Sequence, residues 1–170
     1  MCADVLRVPA DGLNVEPETE QTDNDTDENY LDPVQVDYNW QPVLAAGIQV
    51  STPGFRKTCA EIIDNSSDVF LNFRDSFGGA TCIFKFGITS DPLRRWGFYR
   101  ADGYERMVVI LMSAKVGGVE MLEAHLISKY GHIMGCRNVA LGGEGNIGRF
   151  PPPYFVYIVG ARADRPIRVA

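Results

Sequence analysis

The sequence predicts an α+β domain in which a small antiparallel sheet of about three to four strands is flanked by helices. Three observations carry this. Short apolar runs of strand length recur at Cys82–Phe86, Met107–Met112 and Tyr154–Val159. Between them lie segments with helical spacing, the clearest at Val119–Tyr130. Gly, Pro and Asn clusters separate the two kinds of segment, as turns require.

Taken in order, Thr58 and Glu61 form a possible capping box for a short helix from Cys59 to about Asp64. Asp68–Phe73 alternates enough to be read as a strand, and Gly78-Gly79 would turn it into a hairpin with Cys82–Phe86. Asp91 can cap a helix running to about Tyr99, with Pro92 in the first turn, where its missing N–H costs nothing. Gly87 permits a close backbone approach or a sharp exit from the preceding strand. Met107–Met112 is unbroken and apolar, which suits a strand covered on both faces. In the helix around Val119–Tyr130 the residues Val119, Leu122, Leu126, Ile127 and Tyr130 form one stripe, and Glu123 falls inside it. A carboxylate on an apolar stripe needs a cation or strong hydrogen bonds to offset its desolvation. It marks either a site or a boundary residue paired with an arginine.

Charge divides the chain. Residues 1–40 hold eleven acids and one base, Arg7, whereas residues 41–170 hold eleven acids and fifteen bases, so the total of −6 hides a basic folded part. The acidic stretch Glu16–Asp32 has too few apolar residues to offset its ordering entropy and is expected to be disordered. It reads either as a solubilising tail or as an autoinhibitory arm over a basic groove. Tyr38-Asn39-Trp40 closes it and is expected to dock on the domain. The organisation expected is therefore an acidic arm over 1–40, an extension with a short helix over 41–66, a main domain over 67–150, and a proline-led strand with a basic tail over 151–170. Arg162, Arg165 and Arg168 in that tail would contact phosphates or stay solvated.

Cys2, Cys59, Cys82 and Cys136 form no C-x-x-C pair, which points to an intracellular, reducing compartment, nuclear or cytoplasmic. His125, His132 and Cys136 could be imagined as metal ligands, but His125 and His132 are seven residues apart with a helix end expected between them, which favours structural chance. No signal core or span-length apolar run is evident, so no membrane partner is expected. Gly142-Gly143-Glu144-Gly145-Asn146 is a turn, or a nest of amides for a phosphate.

One ordered set of residues carries a resemblance. Phe84-Lys85-Phe86-Gly87-Ile88-Thr89 is followed by Asp91-Pro92, Arg94-Arg95-Trp96, Leu122-Glu123 and Cys136-Arg137-Asn138. Ten residues separate Lys85 from Arg95, twenty-eight more lead to Glu123, and fifteen more to Asn138. Over residues 68–146 this set resembles the GIY-YIG nuclease superfamily. Lys85 stands where the second motif's tyrosine belongs and no Gly-Ile-Tyr precedes it, a departure that is similar to the phage-type DNA-binding branch. Phe155-Val156-Tyr157 looks like the missing first motif displaced toward the C-terminus, and beside Cys82–Phe86 it would let Tyr157 supply the absent phenol.

The resemblance implies a metal-dependent DNA endonuclease. Glu123 would hold one divalent ion, Mg²⁺ or Mn²⁺, Arg95 would brace the scissile phosphate, and Asn138 would orient the site by hydrogen bonds. Tyr99, one turn beyond Arg95, would assist proton transfer. A free lysine titrates at ~10.4, so Lys85 is a base only if its surroundings depress it, and is otherwise a phosphate-binding cation. Two further readings stay open: a DNA-binding module of this fold without cleavage, and a protein–protein adaptor on the same scaffold.

Overall fold

Thr58 starts the first long helix as its capping box requires. Its hydroxyl accepts from the Glu61 N–H at 3.3 Å, and its own N–H donates to Glu61 Oε2 at 2.8 Å. A computed structural model describes residues 38–52, 58–139 and 147–168. The acidic stretch, most of the 1–40 arm and the 142–146 glycine loop lie outside these described residues.

The described elements run α1 (Gln41–Ala45), β1 (Gln49–Val50), α2 (Cys59–Asp75), β2 (Cys82–Thr89), α3 (Pro92–Ala101), β3 (Arg106–Ser113), α4 (Val116–Tyr130) and β4 (Tyr154–Arg162). This is a small α+β fold, with the strands forming one sheet in the order β1-β3-β4-β2. The pairs β2–β4 and β3–β4 are antiparallel as expected. The sheet is nevertheless mixed, because β1 lies parallel to β3, with Gln49 opposite Val108. The chain passes through α2, β2 and α3 between them, and so long a crossover returns it in the same direction.

The expected Asp68–Phe73 strand and its hairpin do not exist. These residues are the last turns of α2, which continues past Asp64 to Asp75. Ile62, Ser66, Phe70, Phe73 and Phe77 are buried at helical spacing, while Leu71, which a strand would have placed with Phe73, is exposed. The two buried serines return their hydroxyls to the carbonyls of Ile62 and Ile63, so neither brings an unsatisfied polar group into the core.

Alternation on the strands builds two cores. Phe84, Phe86, Val108, Ile110, Val156 and Ile158 face α2 and α4. Met107, Val109, Phe155, Tyr157 and Val159 face α1 and α3 with Trp96 and Val43. The continuous apolar runs of β3 and β4 thus follow from a sheet covered on both faces. A register shift between Val109 and Leu111 puts Ile110 and Leu111 into the same core, as a bulge does. Tyr38 and Trp40 dock as expected, their ring centroids 5.0 and 5.7 Å from Phe155. β1 and β4, outside the 67–150 segment, are therefore integral to the sheet.

Candidate functional site

Opposite one another on β2 and β4 stand Gly87 and Tyr157. A methyl group at Gly87 would lie 2.5 Å from Tyr157 Cζ, so the phenol occupies the space a side chain would have filled. This is the close approach anticipated for Gly87, made by a ring from the neighbouring strand. The Tyr157 hydroxyl shares a hydrogen bond of 3.0 Å with that of Tyr99 on α3.

The turn that leads into α3 is closed locally. Asp91 N–H donates to Thr89 Oγ1 and the Thr89 hydroxyl donates back to the Asp91 carbonyl, both at 3.1 Å. Asp91 Oδ1 then accepts from the Arg94 N–H at 2.9 Å, capping the helix that carries Arg95 and Tyr99. On the outer edge of β2 the chain after α4 pairs in parallel, Phe84 N–H donating to the Gly135 carbonyl and Arg137 N–H to that of Phe84. Asn138 continues the ladder with its side chain. Phe86 N–H donates to Asn138 Oδ1, and Asn138 Nδ2 donates to the Phe86 carbonyl, each at 2.9 Å. The amide thus holds the strand carrying Lys85 and Gly87 in place, and both of its ends are engaged in doing so.

These elements enclose one cleft of about 660 Å³. Lys85, Arg95, Tyr99, Glu123, Asn138 and Tyr157 all line it. Six residues chosen from the sequence, drawn from β2, α3, α4, β4 and the edge segment, come together. Glu123 is 5% exposed, as its place in the apolar stripe of α4 demanded.

The chain matches no family model, no curated protein and no solved structure. The site is therefore read from its own chemistry.

Burial, and then the neighbouring Tyr99, push the Tyr157 phenol well above its ordinary range; Arg95 opposes the rise and Glu123 adds to it. Tyr157 consequently keeps its proton at neutral pH. It is a hydrogen-bonding group and a poor base. Among the lining residues the cations are Lys85, Arg94 and Arg95, and the carboxylates are Asp91 and Glu123. Among the described residues no group of three or more His, Cys, Asp or Glu side chains could hold a metal. Asp91 is engaged as a helix cap, so among the lining carboxylates Glu123 is the one that could serve a cation. Such a site fits Mg²⁺ or Mn²⁺, which bind through one or two carboxylates and complete their shells with water and substrate phosphate.

Several lining residues escaped the sequence reading, notably Phe98 and Phe150. A signal existed for both: Phe98 falls four residues after Arg94 on α3, and Phe150 stands between Arg149 and three prolines. The basic tail lies elsewhere. Arg162 and Arg165 pair with Glu105 at 3.6 and 3.1 Å, and neither lines the cleft.

Proposed function

We propose that this protein is a metal-dependent DNA endonuclease that hydrolyses phosphodiester bonds in the cleft. The observation that carries the reading is the convergence of Lys85, Arg95, Tyr99, Glu123, Asn138 and Tyr157 on one concavity. The place of Tyr157 beside Gly87 is what a displaced first motif of a GIY-YIG-like nuclease requires.

Each residue has a role its environment allows. Arg95 presents a planar fork to two phosphate oxygens and balances charge that builds on them. Glu123 would hold one Mg²⁺ or Mn²⁺, and the ion would supply Lewis acidity to the site. Tyr157, protonated, holds the Tyr99 phenol in place through their shared hydrogen bond. Asn138 fixes β2, and with it Lys85. Lys85, which lines the cleft, has two roles open to it: acceptor of the attacking water's proton, or phosphate-binding cation.

The test is nicking of supercoiled plasmid with Mg²⁺ or Mn²⁺. Glu123→Gln keeps shape and removes the charge, so nicking should vanish while the thermal melt shows a folded protein. Unchanged nicking by that variant removes Glu123 from the mechanism, and a wild-type protein that never nicks with any divalent ion overturns the enzyme.

One observation favours a second reading, a DNA-binding module without cleavage: the Tyr157 phenol is held protonated, so it offers no base. Lys85→Met separates the two. A phosphate-binding lysine should cost about 1.5–3 kcal/mol of DNA affinity when removed. A lysine acting as base should cost cleavage and little affinity.

A further inference from the structure

Two aromatic rings stand at the cleft where a soluble protein gains nothing by exposing them. Phe98 is 57% exposed and Phe150 is 53% exposed, yet both line the same cavity as Arg94, Arg95 and Lys85. Neither is a loose side chain on a loose backbone. Phe98 sits inside α3, with the Arg94 guanidinium 5.8 Å from its ring centroid. The backbone of Phe150 is tied on both sides: its N–H donates to the Ile147 carbonyl at 3.0 Å, and its carbonyl accepts from Tyr154 Oη at 2.7 Å. A pair of rings on fixed backbone, in a cleft that three cations also line, complements a ligand that has flat π-faces joined by negative charges.

We infer that the cleft takes an unpaired DNA strand, whose bases stack on Phe98 and Phe150 while its phosphates meet Arg94, Arg95 and Lys85. This rests on the reading of the cleft as a DNA site and adds the form of DNA it accepts. In an intact duplex the base faces are covered by their neighbours, and a protein ring reaches only edges and backbone. In a single strand, a flap or a frayed end, each base has a face free to stack, and stacking is indifferent to base identity. Arg94 serves twice in this arrangement, as a cation over the Phe98 ring and as a phosphate contact one helical turn away from it.

Fluorescence anisotropy in EDTA, which blocks cleavage, tests this with the full chain. The probes are a labelled thymidine dodecamer, an abasic strand of the same length, and a duplex of the same length. The thymidine strand should bind about ten-fold or more tighter than the abasic strand. Phe98→Ala and Phe150→Ala should each weaken the thymidine strand by roughly five- to a hundred-fold and leave the abasic strand unchanged. Phe98→Tyr should retain binding. Both rings are exposed, so the variants should melt with the wild type; if one fails to fold, the other and Phe98→Tyr carry the comparison. Equal affinity for thymidine and abasic strands, a preference for duplex, or alanine variants that bind like the wild type would overturn the inference. Loss of stacking with metal-dependent nicking intact removes this inference alone, whereas base stacking without nicking removes only the nuclease.

Discussion

Replacing Gly87 with alanine tests the arrangement on which the cleft depends. In an ordinary strand position alanine stabilises relative to glycine by about 0.5–1 kcal/mol, because glycine loses more backbone freedom on folding. Here the new methyl would sit 2.5 Å from Tyr157 Cζ and 3.0 Å from Cε2. The ring cannot swing into solvent, since Tyr157 is 2% exposed and packed among Trp96, Val109 and Phe155. Overpacking of this kind costs about 1–3 kcal/mol. Moving the phenol also strains its hydrogen bond to Tyr99, worth about 0.5–1.5 kcal/mol. After the backbone gain is subtracted, the loss should be about 1–3 kcal/mol. Urea unfolding followed by tryptophan fluorescence would show it as a lower midpoint, by about 1 M for a typical slope. The same substitution in a Tyr157→Leu background should cost far less, because the clashing ring is gone, and the pair should couple by at least about 0.5 kcal/mol. An alanine at 87 that leaves the midpoint unchanged or raises it refutes the reasoning.

Gly97 provides the opposite case, since a methyl there meets nothing within 4 Å; Gly97→Ala should stabilise α3 by about 0.5–1 kcal/mol in a thermal melt. Removing residues 1–36 takes away ten acids and Arg7 and shifts the net charge from −6 to +3. DNA binding should then tighten and fall more steeply with salt, at a slope near −0.9 per neutralised phosphate in a log–log plot. Equal low-salt affinities would reduce the arm to a solubilising tail. Alkaline stability follows from three buried acids. Burial pushes the Cys82 thiol up to about 11 and the Tyr104 phenol up to about 12, and holds Tyr157 well above its usual range. The unfolded chain releases these protons first, so their contribution is complete below about pH 8.5 and is lost as pH rises through the folded values. Urea midpoints should fall steadily from about pH 9 upward, and a flat profile would contradict the burial.

The elements that could be read from the sequence are those whose start signals and periodicity agree. Asp91-Pro92 announced α3, and both the cap and the first-turn proline are in place. Tyr154–Val159 was recognisable from β-branched and aromatic residues alone, and it grew by three residues to Arg162. Asp68–Phe73 misled because a six-residue window holding Val69, Phe70, Leu71 and Phe73 satisfies either period. The capping box at Thr58 contained the correction: with no breaker before Gly78-Gly79, a helix begun there had reason to continue. β1 has two residues and therefore no period to detect. At the cleft, Glu123 was legible because a carboxylate inside an apolar stripe contradicts its surroundings. Phe98 and Phe150 carried only the weaker signal of their basic neighbours Arg94 and Arg149; an aromatic residue is otherwise expected in the core, and the fold shows that these two stand outside it.

The strand between β3 and β2 is β4, the last of the described strands to be synthesised. A ribosome therefore delivers β2 and β3 long before the strand that joins them. Until residues 154–162 emerge, the inner edges of both offer unpaired N–H and C=O groups beside apolar runs, the condition in which strands find the wrong partner. A premature stop before Tyr154 would remove the middle of the sheet, with Tyr157 and its cleft wall, rather than trim an edge. Expression of such a truncation should yield aggregate where loss of the acidic arm yields a folded protein, and nascent chains of this protein have reason to meet a chaperone at the tunnel exit.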